Sequence, residues 1–210
     1  MSLGLCGVIL AAGESSRMGR DKALLPWPKP LQPVNPTALP PTTILSSAIE
    51  ALSDVCDLVI VVAGANQNVL RPVVEASGET LVVNPDPKRG QFSSLQVGLQ
   101  AVLDRGRDNA IITLVDRPPP RPGTLTALVE AFARKEHRVW AVVPEYRDKH
   151  GHPIVIGREM VEALLRAPAE SNAREIEHAN QSHISYIAIN DPLVTTNIDT
   201  PQDYVSLESR

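Results

Sequence analysis

Cysteine is nearly absent from this chain: Cys6 and Cys56 are the only two in 210 residues. Two thiols, one inside an apolar run and one just before another, cannot build a disulfide framework or the ligand cluster of a structural zinc site. They read as buried free thiols in a reducing compartment. There is no HExxH segment, and His137, His150, His178 and His183 show no ligand spacing, which argues further against zinc chemistry. Positive charge is not in excess either. With a formal net charge of −4, the molecule has no overall cationic field to hold a polyanion, so no nucleic-acid partner is expected and its cations must act locally. No apolar run approaches bilayer-spanning length, and the apolar stretch from Leu3 to Ala12 carries no cationic leader, so the expected setting is cytoplasmic with no membrane partner. Internal repeats and low-complexity tails are also missing.

What is present suffices for one sizeable core: 43% of the 210 residues are hydrophobic, and the economical reading is a single domain over residues 1–210. Apolar runs bounded by turn residues recur at Leu5–Ala11, Leu58–Ala63, Thr80–Val83, Ala110–Val115, Val139–Val143 and Ile184–Ile189. Helix-period segments fall between most of them, at Thr43–Leu52, Asn66–Glu75, Phe92–Leu103, Leu125–Arg134, Arg158–Arg166 and Ala173–His178. A last helix opens at Thr200, with Pro201 in its first turn. That alternation predicts an α/β fold with a mainly parallel central sheet and a ligand crevice along the carboxyl edge of its strands. One stretch breaks the rhythm. Residues 26–41 are dense in proline, lack the N–H donors of a central strand, and are expected to form a stiff extended insertion, either a surface loop or a partner-docking arm.

The chemistry concentrates where the first strand ends. Leu10-Ala11-Ala12-Gly13-Glu14-Ser15-Ser16-Arg17-Met18-Gly19-Arg20-Asp21-Lys22 places glycines, hydroxyls and three cations in one loop, a cradle for phosphate. It is neither a Walker loop, which needs Lys-Ser/Thr after its last glycine, nor a dinucleotide fingerprint, whose glycines are spaced differently. Asp116 closes another strand, so its carboxylate should enter the same crevice. Magnesium there needs few protein ligands, because water and substrate phosphates complete its shell. As a bare sequence feature, Asp116 before prolines also fits a turn.

These motifs resemble the MobA-like nucleotidyltransferase family, whose opening signature is L-A-[AG]-G-x-S-x-R-M-G-x-D-K. The resemblance implies a three-layer Rossmann-like nucleotidyltransferase fold. It also implies transfer of a nucleoside monophosphate from a triphosphate to a phosphorylated acceptor such as molybdopterin, with release of pyrophosphate and with Mg2+ or Mn2+ as cofactor. Ala12, in an Ala-Ala-Gly version of the loop, points to CTP. The alternatives are a guanylyltransferase using GTP, another cofactor- or sugar-phosphate nucleotidyltransferase, and a non-catalytic nucleotide-binding escort for a molybdoenzyme partner.

Carried over by the same resemblance, Arg17, Lys22 and Asp116 are catalytic. Leu10, Ala11, Ala12, Gly13, Ser15, Arg17, Lys22, Asn84, Gly90, Ser93 and Ser94 bind nucleotide, although the two serines are also explained as helix caps. Asp116 and Asp199 hold the metal, Asp199 lying in Asn197-Ile198-Asp199-Thr200-Pro201-Gln202-Asp203, which is similar to the family's D-I-D-T-P-E-D. Asn197 departs from that pattern, and Thr200 with Asp203 is accounted for by helix capping. Gly151, His152 and Pro153 resemble the segment lining the acceptor side, though a lone histidine is also a common structural residue. Arg117 stands where the family usually has Gln or Met, either as a further phosphate contact or as a surface charge.

Overall fold

The computed structural model of the chain describes residues 3–13, 18–28, 42–168 and 170–207. β1 (Leu5–Leu10) is buried along its whole length, as an apolar run without polar alternation must be when both faces of a sheet are covered. It pairs in parallel with β2 (Leu58–Ala63) on one side and β4 (Asn109–Leu114) on the other, and β2 pairs in parallel with β3 (Thr80–Val83). Because successive strand side chains point to opposite faces, the run divides its apolar content between two cores. Leu5, Ile9, Val59, Val61 and Ile111 pack under α1 (Ile44–Ser53), α2 (Gln67–Ala76) and α4 (Pro122–Ala133). Cys6, Val8, Ile60, Val62 and Ile112 pack under α3 (Gln91–Asp104) and α5 (Arg158–Arg166). The result is the expected helix, sheet, helix layering. A Cβ on Gly98 of α3 would fall 2.8 Å from Val8 Cγ1 and 2.9 Å from Val62 Cγ2, so the missing side chain sets how closely that helix approaches the sheet.

The sheet has eight strands in the order β3-β2-β1-β4-β7-β5-β6, with β8 on the far edge of β5. Here β5 spans Ala141–Tyr146, β6 Lys149–His150, β7 Ile154–Ile156 and β8 Ile184–Ala188. β5 and β8 run parallel, whereas β7 is antiparallel to both β4 and β5. β7 carries no strand signal in the sequence, since three apolar residues after a proline give no readable period. Other boundaries move as well. β5 begins two residues later than its apolar run, and α4 begins three residues earlier than predicted, with Pro122 in its first turn, where the missing N–H has no partner to lose.

Cys6 is buried and Cys56 half-buried, and both are free thiols. Burial pushes the Cys6 thiol up to about 12 and raises that of Cys56 as well. No helix among the described residues is long and apolar enough to cross a membrane. Of the proline-dense segment, residues 29–41 lie outside the described residues. Its two ends lie side by side, with Trp27 N donating to Thr42 O at 3.2 Å and Pro26 bridging to Thr43.

Candidate active site

The carboxyl end of β1 is stitched to both neighbouring strands: Ala11 N donates to Val62 O of β2 (2.8 Å), and Val115 N, just beyond β4, donates to Leu10 O (3.2 Å). Beyond β1 the chain passes through Ala12 and Gly13; Glu14, Ser15, Ser16 and Arg17 lie outside the described residues, so the expectations for Ser15 and Arg17 do too. The loop resumes at Met18 and enters a 3-10 turn at Lys22–Leu24, capped by Asp21 Oδ1 accepting from Ala23 N at 3.0 Å.

Asn66 ties this loop together. Its Nδ2 donates to Ala11 O (2.8 Å) and Asp21 Oδ2 (2.6 Å), while its Oδ1 accepts from Gly64 N (3.0 Å). The neighbouring glycine is required by contact, since a Cβ on Gly64 would sit 2.8 Å from Ala12 O. In the sequence Asn66 stands only at the start of a predicted helix. Its partners lie 45 and 55 positions away, and no local signal announces such a link.

Asp116 and Asp199 reach the loop from two directions. The first follows β4. The second is held there by a small third core of Met18, Leu25, Ile44, Ile198, Tyr204 and Leu207, by Tyr204 Oη donating to Pro26 O at 2.6 Å, and by Ile198 N donating to Asp116 O at 2.6 Å. The predicted cap is present at α7 (Pro201–Ser206), where Asp203 Oδ2 accepts from the N–H groups of Asp199 and Thr200 at 3.0 and 2.7 Å. Asn197, by contrast, is exposed. Lys22 Nζ lies 3.3 Å from Asp199 Oδ1, with the lysine side chain only 11% exposed.

Burial raises the Asp116 carboxyl above the ordinary range; Lys22 and Arg117 pull it down, and Asp199 pushes it up again. Its Oδ1 is buried without a hydrogen-bond partner. A buried carboxylate oxygen left bare is costly, and a divalent cation between two carboxylates would relieve both the desolvation and the repulsion. Asp116 and Asp199 therefore fit a metal. Among the described residues no group of three or more His, Cys, Asp or Glu forms a metal site, so the remaining ligands would be water and phosphate, as magnesium prefers.

Leu10, Ala12, Gly13, Lys22, Gly90 and Asp116 line one cleft of about 330 Å³, together with Pro87, Gln91, Ser94 and Val115. Gly90, at φ +92°, turns the chain into α3. Asn84 and Ser93 stand behind this wall: both are buried, Asn84 Nδ2 donates to the hydroxyls of Ser93 and Ser94 at 2.9 Å each, and Ser93 Oγ donates to Gly90 O at 2.8 Å. They shape the segment that Gly90, Gln91 and Ser94 present. Pro87 and Gln91 were not singled out in the sequence, because neither carries a distinctive chemistry of its own.

Through Leu10, Gly90 and Gln91 the cleft joins a larger cavity of about 800 Å³, where His152 lies. Gly151 packs directly on Val194; a Cβ there would fall 2.1 Å from Val194 O. That carbonyl accepts from His152 N (2.8 Å) and from Arg117 Nη1 (3.0 Å). Pro153 is buried. Burial, with the Arg117 guanidinium adding to it, lowers His152 to about 4, so the ring is neutral at physiological pH. Arg117 is half-buried rather than a free surface charge, and its Nε is buried without a partner. Behind Val194, buried Asp191 accepts from Leu193 N at 3.0 Å and from Thr124 Oγ1 at 2.8 Å, fixing the turn at Pro192–Thr195. Among the described residues the site thus sets Lys22 against Asp116 and Asp199, with a larger chamber beside the cleft.

Residues 7–184 match the family model of the MobA-like NTP transferase domain. The chain is 28% identical over 210 residues to the molybdenum cofactor cytidylyltransferase of Escherichia coli K12, covering 97% of this chain and 95% of that one. It is 27% identical over 208 residues to a protein of Mycobacterium avium strain 104 named probable molybdenum cofactor guanylyltransferase, covering 98% and 96%. Among solved structures, Rv0371c from Mycobacterium tuberculosis H37Rv superposes with a TM-score of 0.77 at 27% identity over 98% of this chain and 97% of that one.

Proposed function

This chain belongs to the MobA-like NTP transferase family, and from that premise we propose that it transfers CMP from CTP to the phosphate of a molybdopterin-type acceptor in molybdenum cofactor biosynthesis. The observation that carries the reading is the convergence of Lys22, Asp116 and Gly13 on one cleft, with Asp199 3.3 Å from Lys22. An acceptor phosphate oxygen forms a bond to the α-phosphorus as the bond from that phosphorus to the β-phosphate bridging oxygen breaks, and pyrophosphate departs. The nucleophile is already anionic at neutral pH, so no general base is needed, and alignment and charge compensation carry the catalysis.

In this account Lys22 compensates charge on the leaving pyrophosphate, with Arg17 assigned the same task by its motif position. Backbone N–H groups near Gly13 receive phosphate oxygens. Asn66 keeps the loop shaped for that contact, and Gly90 and Gln91 form the opposite wall. Asp116 and Asp199 would hold Mg2+ or Mn2+, which supplies electrostatic stabilisation of the phosphate oxygens. CTP is favoured by Ala12, which lines the cleft; the similar relatives include both cytidylyl and guanylyl enzymes.

The test is acceptor-dependent pyrophosphate release by the purified protein with molybdopterin and, in turn, CTP, GTP, ATP and UTP. Fastest release with CTP is expected. Faster release with GTP would replace the cytidylyl assignment by the guanylyl one, and none with any nucleotide would overturn the reading.

A further inference from the structure

The larger cavity holds a carboxylate that the transfer chemistry does not use. Glu177 lies on α6 (Ala173–Ala179), half-buried against the cavity. Burial raises its carboxyl, and His150 pulls it back down. No hydrogen bond to that carboxylate is formed by the described side chains or backbone, and His150 is engaged elsewhere, its Nε2 lying 3.4 Å from Glu145 Oε2. Phe92, Leu95, Ile112 and Ile154 also line the cavity and give it apolar surface. The His150 ring stacks on Tyr186 with centroids 3.9 Å apart and planes 15° from parallel, and both flat rings line the same cavity.

Resting on the nucleotidyltransferase reading, we propose that Glu177 selects the acceptor by accepting two parallel N–H donors from the edge of a flat amino-substituted heterocycle seated in this cavity. A half-desolvated carboxylate without donors gains most from a ligand that brings two at once. A ring N–H beside an exocyclic amine, the donor edge of a 2-amino-pyrimidinone, matches the two oxygens in one plane. Apolar walls suit the ring faces, with specificity left to a few polar groups. Arg89 and Arg174, exposed at the same cavity, are placed to meet an anionic substituent. Glu177 is therefore a specificity residue for the acceptor and takes no part in the bond change at phosphorus.

The experiment titrates the intact protein with 6-hydroxymethylpterin monophosphate and with its counterpart bearing a 2-oxo group in place of the amine, in wild type and in Glu177→Gln. The wild type should bind the amino probe about tenfold or more tightly than the oxo probe, and Glu177→Gln should reduce that ratio to within about twofold. An equal ratio in both proteins, no discrimination by the wild type, or no binding of either probe would overturn the proposal. CTP and GTP affinities in the presence of Mn2+, measured on the same preparations, separate the two levels: a wild type that binds neither nucleotide contradicts the transferase reading, whereas intact nucleotide binding with no amino preference contradicts only the role of Glu177.

Discussion

At the residue scale, Lys22 and His152 occupy opposite electrostatic situations. Lys22 is a mostly buried cation facing a carboxylate, and in the proposed reaction its ammonium compensates the negative charge on departing pyrophosphate. Lys22→Ala should lower acceptor-dependent pyrophosphate release by about 100-fold or more, the scale of losing a preorganised charge donor, with an unchanged far-ultraviolet circular dichroism spectrum; near-normal turnover would remove Lys22 from the chemistry. His152 is held neutral, lowered from 6.5 to about 4. The unfolded chain therefore takes up this proton at a higher pH than the folded one. Stability from His152 is present above about 6.5 and is lost as the pH falls towards 4. Urea midpoints followed through that window should fall in the wild type, and His152→Asn should flatten that part of the decline; an identical slope in both would contradict the buried, neutral ring. Lys22 and Asp116 were legible in the sequence because a dense motif and a strand end each carry local chemistry. Asn66, Gln91 and Asp191 were not, since each works through partners brought near only by folding.

At the scale of elements, the turn at Pro192–Thr195 links Arg117, next to Asp116, to His152 in the larger cavity, because the Val194 carbonyl receives both. Its anchor is Asp191, buried and hydrogen-bonded to Thr124 and Leu193. Asp191→Ala should cost about 1–3 kcal/mol of stability, the consequence of leaving buried donors unmet, and should raise the KM for the acceptor more than that for the nucleotide. Equal changes in both constants would confine Asp191 to a purely structural role. Gly151→Ala should be at least as damaging, since its Cβ would meet the Val194 carbonyl at 2.1 Å; chemical denaturation would show a loss of about 1–3 kcal/mol. Apolar runs revealed β1, β2 and β4 because strands buried on both faces read as continuous hydrophobic segments, and β3, half-buried at the sheet edge, shows as a shorter run between turn residues. The three residues of β7 are too few to show a period, and their antiparallel placement depends on the turn before them.

At the scale of the whole molecule, the two cores on either face of the sheet hold the strands rigid, while the small third core folds the chain's last described helix back onto the first loop. That closure brings Asp199 to Lys22 across 177 positions of sequence, and the separate motifs become one site only through it. The most direct test is a calorimetric titration of CTP into the wild type and Asp116→Ala, each with and without Mn2+. Nucleotide affinity should depend on the metal in the wild type, and Asp116→Ala should weaken binding mainly when Mn2+ is present, leaving the metal-free affinities close together. An equal loss with and without the ion would contradict a metal-bound triphosphate held between the loop and its carboxylates.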